Sequence, residues 1–146
     1  MRIYLDICAI QRPLDTPDQI RVVLEAEAVL GLLALCESEQ LELVSSEALI
    51  YENEQNPLPV RQEHARTVLA KAKSIVRLST EAKAGANYLV EAGLKPLDAL
   101  HLALAEEGKA EYFCTCDDQL LRKARPMADL RLKMVSPLEL VQEIEK

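Results

Sequence analysis

Short apolar runs with strand-like composition alternate along this chain with stretches of helical periodicity, and this alternation constrains the fold most. The strand-like runs lie at residues 2–7, 41–45, 75–78, 111–115 and 132–135. Parallel strands need crossover connections, and helices between successive strands supply them. The order therefore predicts an α/β fold of three layers, α/β/α, around a mostly parallel sheet of about five strands.

The intervals between these runs carry helix signals such as apolar residues at helical spacing, capping serines and first-turn prolines. A polar turn containing Pro13 and Pro17 is expected directly after the first strand. The predicted helices cover residues 18–38, 46–54, 60–74, 80–92, 96–108 and 117–125, and a last helix begins at Pro137.

Length and composition limit the architecture and the classes of partner. The chain of 146 residues has room for one domain, which we assign to residues 1–146. Aromatic residues make up 3% of the chain, so its core must be aliphatic. A net charge of −7 excludes a uniformly basic surface for duplex DNA, although a local basic patch remains compatible with nucleic acid.

The start of the chain and its cysteines indicate a cytoplasmic protein. Residues 1–6 lack the apolar stretch of a signal peptide, and no apolar run is long enough to cross a membrane. The four cysteines have no disulfide-like spacing and are expected to be reduced. A zinc site at Cys114 and Cys116 is conceivable, but these cysteines fit better as small buried thiols on a strand.

Acidic residues follow three of the predicted strands or open a predicted helix. Asp6 ends the first strand, and Asp98 lies in the first turn of the helix that Pro96 begins. Ligands of open parallel sheets bind beyond the carboxyl ends of the strands, where such residues meet. The complete set of candidates is Asp6, Glu47, Glu52, Asp98, Asp117 and Asp118.

Each acid alone has an ordinary structural explanation, such as a helix cap or a solvated face, and Asp6 is the hardest to explain in this way. A carboxylate at the end of an apolar strand is costly to bury without a partner. Several carboxylates at one edge would repel each other unless a divalent cation offset their charge. An all-oxygen site suits Mg²⁺ or Mn²⁺, and phosphodiester hydrolysis is the natural chemistry of such a site.

Four short segments in order along the chain carry a family resemblance. They are Tyr4-Leu5-Asp6, Ser46-Glu47-Ala48-Leu49-Ile50-Tyr51-Glu52, Leu97-Asp98-Ala99-Leu100-His101-Leu102-Ala103 and Phe113-Cys114-Thr115-Cys116-Asp117. Together they resemble the PIN-domain ribonucleases, a family that includes the toxins of bacterial toxin–antitoxin pairs. The resemblance implies a compact α/β/α fold, an acidic Mg²⁺ or Mn²⁺ site and endonucleolytic cleavage of RNA.

Carried over by position, the resemblance implies a set of catalytic acids: Asp6, Glu52, Asp98 and Asp117. Three of them, Asp6, Asp98 and Asp117, are implied as metal ligands. Glu47 is a rival to Glu52, and Asp118 replaces Asp117 if the last loop is shifted by one residue. Thr115 resembles the family's small hydroxyl residue before the last acid, which implies that it orients a carboxylate or a water molecule. The chain departs from the family at Cys8, where an asparagine often stands.

His101 and the basic residues could support this site. His101 lies three residues after Asp98, so it can share a helix face with it and either hydrogen-bond a carboxylate or simply pack. Basic residues concentrate in segments 61–83 and 119–134 despite the negative total. Within the second segment, Arg122, Lys123 and Arg125 follow Asp117 and are candidates to bind an RNA backbone.

The expected partner is an RNA substrate. The resemblance also leaves open two protein partners, an antitoxin and a second copy of the chain. The apolar stretches 20–35 and 60–75 could bury a partner helix, although core packing explains most of these residues equally well. The alternative function is a catalytically silent PIN-like module that binds RNA or protein. A phosphoryl-accepting domain is less consistent with the sequence, because a phosphatase of that kind would need an aspartate at Cys8.

Overall fold

Five parallel strands form one sheet at the centre of the fold, in the order β3-β2-β1-β4-β5. A computed structural model describes residues 1–127 and 129–146 of the chain. The strands are β1 (Arg2–Leu5), β2 (Glu42–Ser46), β3 (Ser74–Val76), β4 (Tyr112–Cys114) and β5 (Lys133–Val135). The predicted α/β class with a parallel sheet of five strands is confirmed.

Helices flank the sheet and complete the three layers. They are α1 (Ile7–Ile10), α2 (Ile20–Glu37), α3 (Glu47–Glu54), α4 (Pro59–Leu69), α5 (Thr80–Glu91), α6 (Pro96–Glu107), α7 (Asp118–Ala124) and α8 (Pro137–Glu145), with a 3₁₀ turn at Arg12–Leu14. Serines cap three of them: Ser46 accepts from the amide of Leu49, Ser79 from that of Ala82 and Ser136 from that of Glu139. In the described part of the chain, no helix has the length and apolar character needed to cross a membrane.

The core is aliphatic, as the composition predicts. The central strand β1 buries Ile3, Tyr4 and Leu5 completely. Tyr4 stacks on Phe113 of β4, with 5.1 Å between the ring centroids. Because β1 lies between β2 and β4, the residue that follows β1 emerges at the middle of the sheet's carboxyl edge.

Several predicted boundaries differ from the observed ones, and two of the differences have a clear physical cause. The first strand ends at Leu5 rather than residue 7, because the carbonyl of Asp6 accepts from the amides of Ala9 and Ile10 and the chain turns into α1. The helix predicted over 60–74 ends at Leu69, because the chain must extend to enter β3. There the amide of Lys73 donates to the Leu43 carbonyl of β2.

Candidate active site

Asp6 lies at the centre of the carboxyl edge, where the chain leaves β1, and its side chain is 8% exposed. Its Oδ1 accepts from the amide of Ile7 at 2.9 Å, and its Oδ2 accepts from the hydroxyl of Thr115 at 2.8 Å. The Cys8 thiol lies 3.5 Å from the same Oδ2. Burial raises the pKa of Asp6, because these neutral donors only partly replace water around the charge. Among the described residues, no lysine or arginine forms an ion pair with Asp6.

Glu52 reaches the same edge from α3, held by a chain of hydrogen bonds through buried groups. Its Oε1 lies 2.7 Å from Nε2 of His101, and Nδ1 of His101 lies 2.6 Å from the hydroxyl of Tyr4. The Tyr4 hydroxyl also lies 2.6 Å from Oγ of Ser46, the residue that caps α3. Potential ligand atoms of Asp6, Glu52 and His101 all lie within 4.8 Å of one another. Three segments far apart in the sequence therefore meet at one point.

Asp98 and Asp117 are two further carboxylates near this edge, but they lie outside the group of Asp6, Glu52 and His101 whose ligand atoms are within 4.8 Å of one another. Asp98 is half-buried in the first turn of α6, and its pKa is raised by burial and then by the charges of Asp6 and Asp117. Asp117 caps α7, with its Oδ1 accepting from the amides of Gln119 and Leu120 at 3.0 and 3.2 Å. Its Oδ2 accepts no hydrogen bond from the described residues. The charges of Asp6 and Asp117 thus both act on Asp98.

The two rival acids have structural partners instead. Asp118 forms a two-bond ion pair with Arg21 of α2, at 2.7 and 2.8 Å, which lowers the pKa of Asp118. Oε1 of Glu47 accepts from the amide of Leu78 at 2.8 Å. Thr115 is fully buried between two of the site aspartates, because its Oγ1 donates to Asp6 and accepts from the amide of Asp117 at 3.1 Å. This position suits the orienting role that the resemblance implies for Thr115.

The basic residues that are candidates for RNA binding differ in whether an acidic side chain already pairs with them. Arg125 donates to the carbonyl of Met134 and to the carboxylate of Glu139, so its charge is already balanced. Arg122 and Lys123 are exposed on α7, and within residues 1–127 and 129–146 neither forms an ion pair. In the other basic segment, most side chains form ion pairs with acids: Arg61 with Asp15, Arg66 with Glu63, Lys71 with Glu37 and Lys73 with Glu39.

The residues at this edge fit a hard divalent cation. Carboxylate oxygens dominate the donor set, and burial raises the pKa of Asp6 and Asp98, an effect that a bound cation would oppose. The two ring nitrogens of His101 already contact Tyr4 and Glu52, so its part is to hold Glu52. Cys114 is fully buried on β4, and no histidine joins it and Cys116 in a cluster of the described metal-ligating side chains.

Sequence reasoning missed Tyr4 and Ser46 as supports of the site, and it allowed His101 a carboxylate partner without naming Glu52. The sequence contains one indication that Tyr4 takes part in a hydrogen-bond network. It is a hydroxyl-bearing residue within an aliphatic strand, and a buried tyrosine hydroxyl needs a hydrogen-bond partner. That partner could not be named from the sequence, because it depends on how α3 and α6 pack against β1.

The chain is similar to known proteins in sequence and in fold. The family model described as PIN domain matches residues 3–126. One similar solved structure is that of VapBC2 from Rickettsia felis, bound to a DNA fragment from the VapBC2 promoter. It has a TM-score of 0.61, is 14% identical, and the match covers 93% of this chain and 98% of that one. Another is PAE2754 from Pyrobaculum aerophilum, with a TM-score of 0.58, 17% identity and coverages of 99% and 90%. A search of curated proteins found no match.

Proposed function

The chain belongs to the PIN domain family, whose members are generally nucleases, and from this premise we propose that it is a Mg²⁺- or Mn²⁺-dependent endoribonuclease. The observation that carries the proposal is the convergence of acids from four separate segments on one edge of the sheet. Asp6 lies buried at the centre of this edge, and the charges of Asp6 and Asp117 help to raise the pKa of Asp98. Such a concentration of like charge is expected where a cation binds.

In this proposal Asp6, Asp98 and Asp117 hold the cation, and Glu52 completes the catalytic set. When bound, the cation stabilises charge on a phosphoryl oxygen and acidifies the attacking water. Thr115 fixes the Asp6 carboxylate through its 2.8 Å hydrogen bond. His101 fixes Glu52 through its 2.7 Å contact, and Glu52 orients the water for attack on the phosphorus.

Substrate binding is proposed at the start of α7. This helix begins directly after Asp117 and presents Arg122 and Lys123 to solvent, so both can contact phosphates that flank the scissile bond. Arg125 could contribute only by leaving Glu139, and we assign it a minor part. These exposed charges give affinity rather than sequence specificity.

We also propose that the protein is the toxin of a toxin–antitoxin pair. The support is the similar fold of VapBC2, a complex whose structure was solved on a DNA fragment from their promoter. The exposed side of α2 offers Ile20, Leu24 and Leu30 for contact with another chain, either an antitoxin or a second copy. Light scattering of the purified chain, alone and with the product of an adjacent reading frame, separates these two partners.

An RNA cleavage assay tests the proposed activity. Single-stranded RNA is incubated with the protein in Mn²⁺, and a matched sample receives excess chelator. We expect internal cleavage in Mn²⁺ and none with chelator, and activity should return when Mn²⁺ is restored. Binding of RNA without cleavage at any Mn²⁺ concentration would instead indicate the catalytically silent module.

A further inference from the structure

Two cysteines beside Asp6 have no part in the proposed reaction. Cys8 lies in α1, two residues after Asp6, and Cys116 lies one residue before Asp117. Both side chains are partly exposed, whereas Cys36 and Cys114 are buried. The two accessible thiols of the chain therefore flank its central carboxylates.

Close contacts join these two cysteines. The amide of Cys116 donates to the sulfur of Cys8 at 3.3 Å, so the backbone of Cys116 lies directly beside that sulfur. The Cys8 sulfur also lies 3.2 Å from Oγ1 of Thr115 and 3.5 Å from Oδ2 of Asp6. One sulfur thus contacts both a potential disulfide partner and the hydrogen bond that fixes Asp6.

We propose that Cys8 and Cys116 form an oxidisable dithiol, and that their disulfide weakens cation binding at the neighbouring carboxylates. A hydroperoxide supplies the oxidising equivalents. Its terminal oxygen is transferred to the sulfur of Cys116, the O–O bond breaks, and an alcohol (water, from hydrogen peroxide) leaves. The sulfur of Cys8 then attacks the sulfenic acid, the S–S bond forms and water leaves. Two thiols lose two protons and two electrons, and one hydroperoxide is reduced to an alcohol and water.

Geometry connects this modification to the site. Disulfide formation consumes the Cys8 thiol hydrogen, so Oδ2 of Asp6 loses that donor and keeps only Thr115. It also moves the Cys8 sulfur, which lies 3.2 Å from the hydroxyl oxygen of Thr115. Because Thr115 holds both Asp6 and the amide of Asp117, a small shift there changes the separation of two proposed ligands.

The test is chemical and does not need an active nuclease. The native protein is treated with hydrogen peroxide, quenched with an alkylating reagent, and analysed by intact mass and peptide mapping. We expect a decrease of about 2 Da, the two thiol hydrogens, and one linked peptide pair that contains Cys8 and Cys116. The substitution Cys116→Ser should abolish this link, while the matched control Cys36→Ser should retain it.

Cys36 is a suitable control because burial raises the pKa of its thiol to about 11 and it lies on α2, away from the acids. Oxidation of Cys116 to sulfinic acid without a link would overturn the proposal, and so would a link through Cys36 or Cys114. Because the wild-type peptide map is decisive by itself, the proposal remains falsifiable if Cys116→Ser does not fold.

The effect on the site is measured by the rise in melting temperature that Mn²⁺ produces. We expect the Mn²⁺ affinity of the disulfide form to be about tenfold lower, which is the usual effect of losing a hydrogen-bond partner of a metal ligand. The affinity should recover when dithiothreitol reduces the disulfide. Equal stabilisation of both forms would overturn the coupling. The consequence for RNA cleavage rests on the proposed function. If the reduced protein binds Mn²⁺ and forms the disulfide but does not cleave RNA, only the nuclease assignment fails.

Discussion

The two edges of the central sheet differ in whether their charged side chains have partners of opposite charge. At the amino edge, Arg2 opens β1 and its guanidinium contacts the carboxylate of Glu42 at 2.5 Å, the hydroxyl of Ser74 at 3.0 Å and the carbonyl of Gly108 at 2.6 Å. At the carboxyl edge, the charge of Asp6 helps to raise the pKa of Asp98, and neither aspartate forms an ion pair with a described residue. One edge is electrostatically complete, and the other carries excess negative charge.

This contrast indicates which residues serve stability and which serve function. A partly buried guanidinium with three kinds of acceptor joins the starts of β1, β2 and β3, and removing it would weaken the fold. Carboxylates that repel each other do not stabilise a fold, so their concentration needs another explanation. Cation binding provides one, and it predicts that substitutions at the two edges will separate activity from stability.

The largest expected effect is that of Asp6→Asn on RNA cleavage. The substitution keeps the size of the side chain but removes the central charge, so we expect Mn²⁺-dependent cleavage to fall by at least about 100-fold with the fold intact. Cleavage rate and circular dichroism are the measurements. The matched control is Asp118→Asn, whose carboxylate is bound to Arg21 and should contribute little to activity. Similar losses of cleavage activity in Asp6→Asn and Asp118→Asn would contradict the predicted difference between a site carboxylate and an ion-paired one.

A smaller loss of activity is expected from His101→Ala, because Glu52 loses the group that positions it. We expect kcat to fall by about 10- to 100-fold, as for other residues that orient a ligand, with little change in KM. The control is His64→Ala, since the only other histidine contacts the carbonyl of Ile10 and no site carboxylate. A rise in KM at unchanged kcat would indicate that His101 contacts substrate instead.

At the amino edge, Gly108→Ala should change stability and leave the cleavage rate alone. An added Cβ would lie 2.6 Å from Val76 Cγ2 and 2.9 Å from Val44 Cγ1, and these branched side chains have little freedom to move. We expect a loss of about 1–3 kcal/mol in the free energy of unfolding, the usual cost of overpacking, measured by urea denaturation. A large loss of cleavage in the folded variant would mean that the two edges are coupled.

The sequence predicted the elements better than their arrangement. The sequence predicts that Asp6 and Asp117 lie at the carboxyl edge, because each occurs where a strand-like run ends and parallel strands end at the same edge. Helix α1 was missed, because the apolar residues Ile7–Ile10 continue a strand-like run and their number is too small to show a period.

The hydrogen bonds from Tyr4 through His101 to Glu52 lay beyond sequence reasoning. They depend on the order of strands in the sheet and on the direction in which each side chain points. The same holds for the contact between Cys8 and Cys116, which are 108 positions apart.

The central claim, that repelling carboxylates at one edge bind a cation, is tested most directly by melting temperatures of the wild type and Asp98→Asn, each with chelator and with Mn²⁺. With chelator we predict that Asp98→Asn melts higher, because the raised pKa of Asp98 shows that its charged form is disfavoured in the folded protein. With Mn²⁺ we predict a rise for the wild type and a much smaller rise for the variant. An equal rise in both proteins would contradict the account, since the cation would then bind elsewhere.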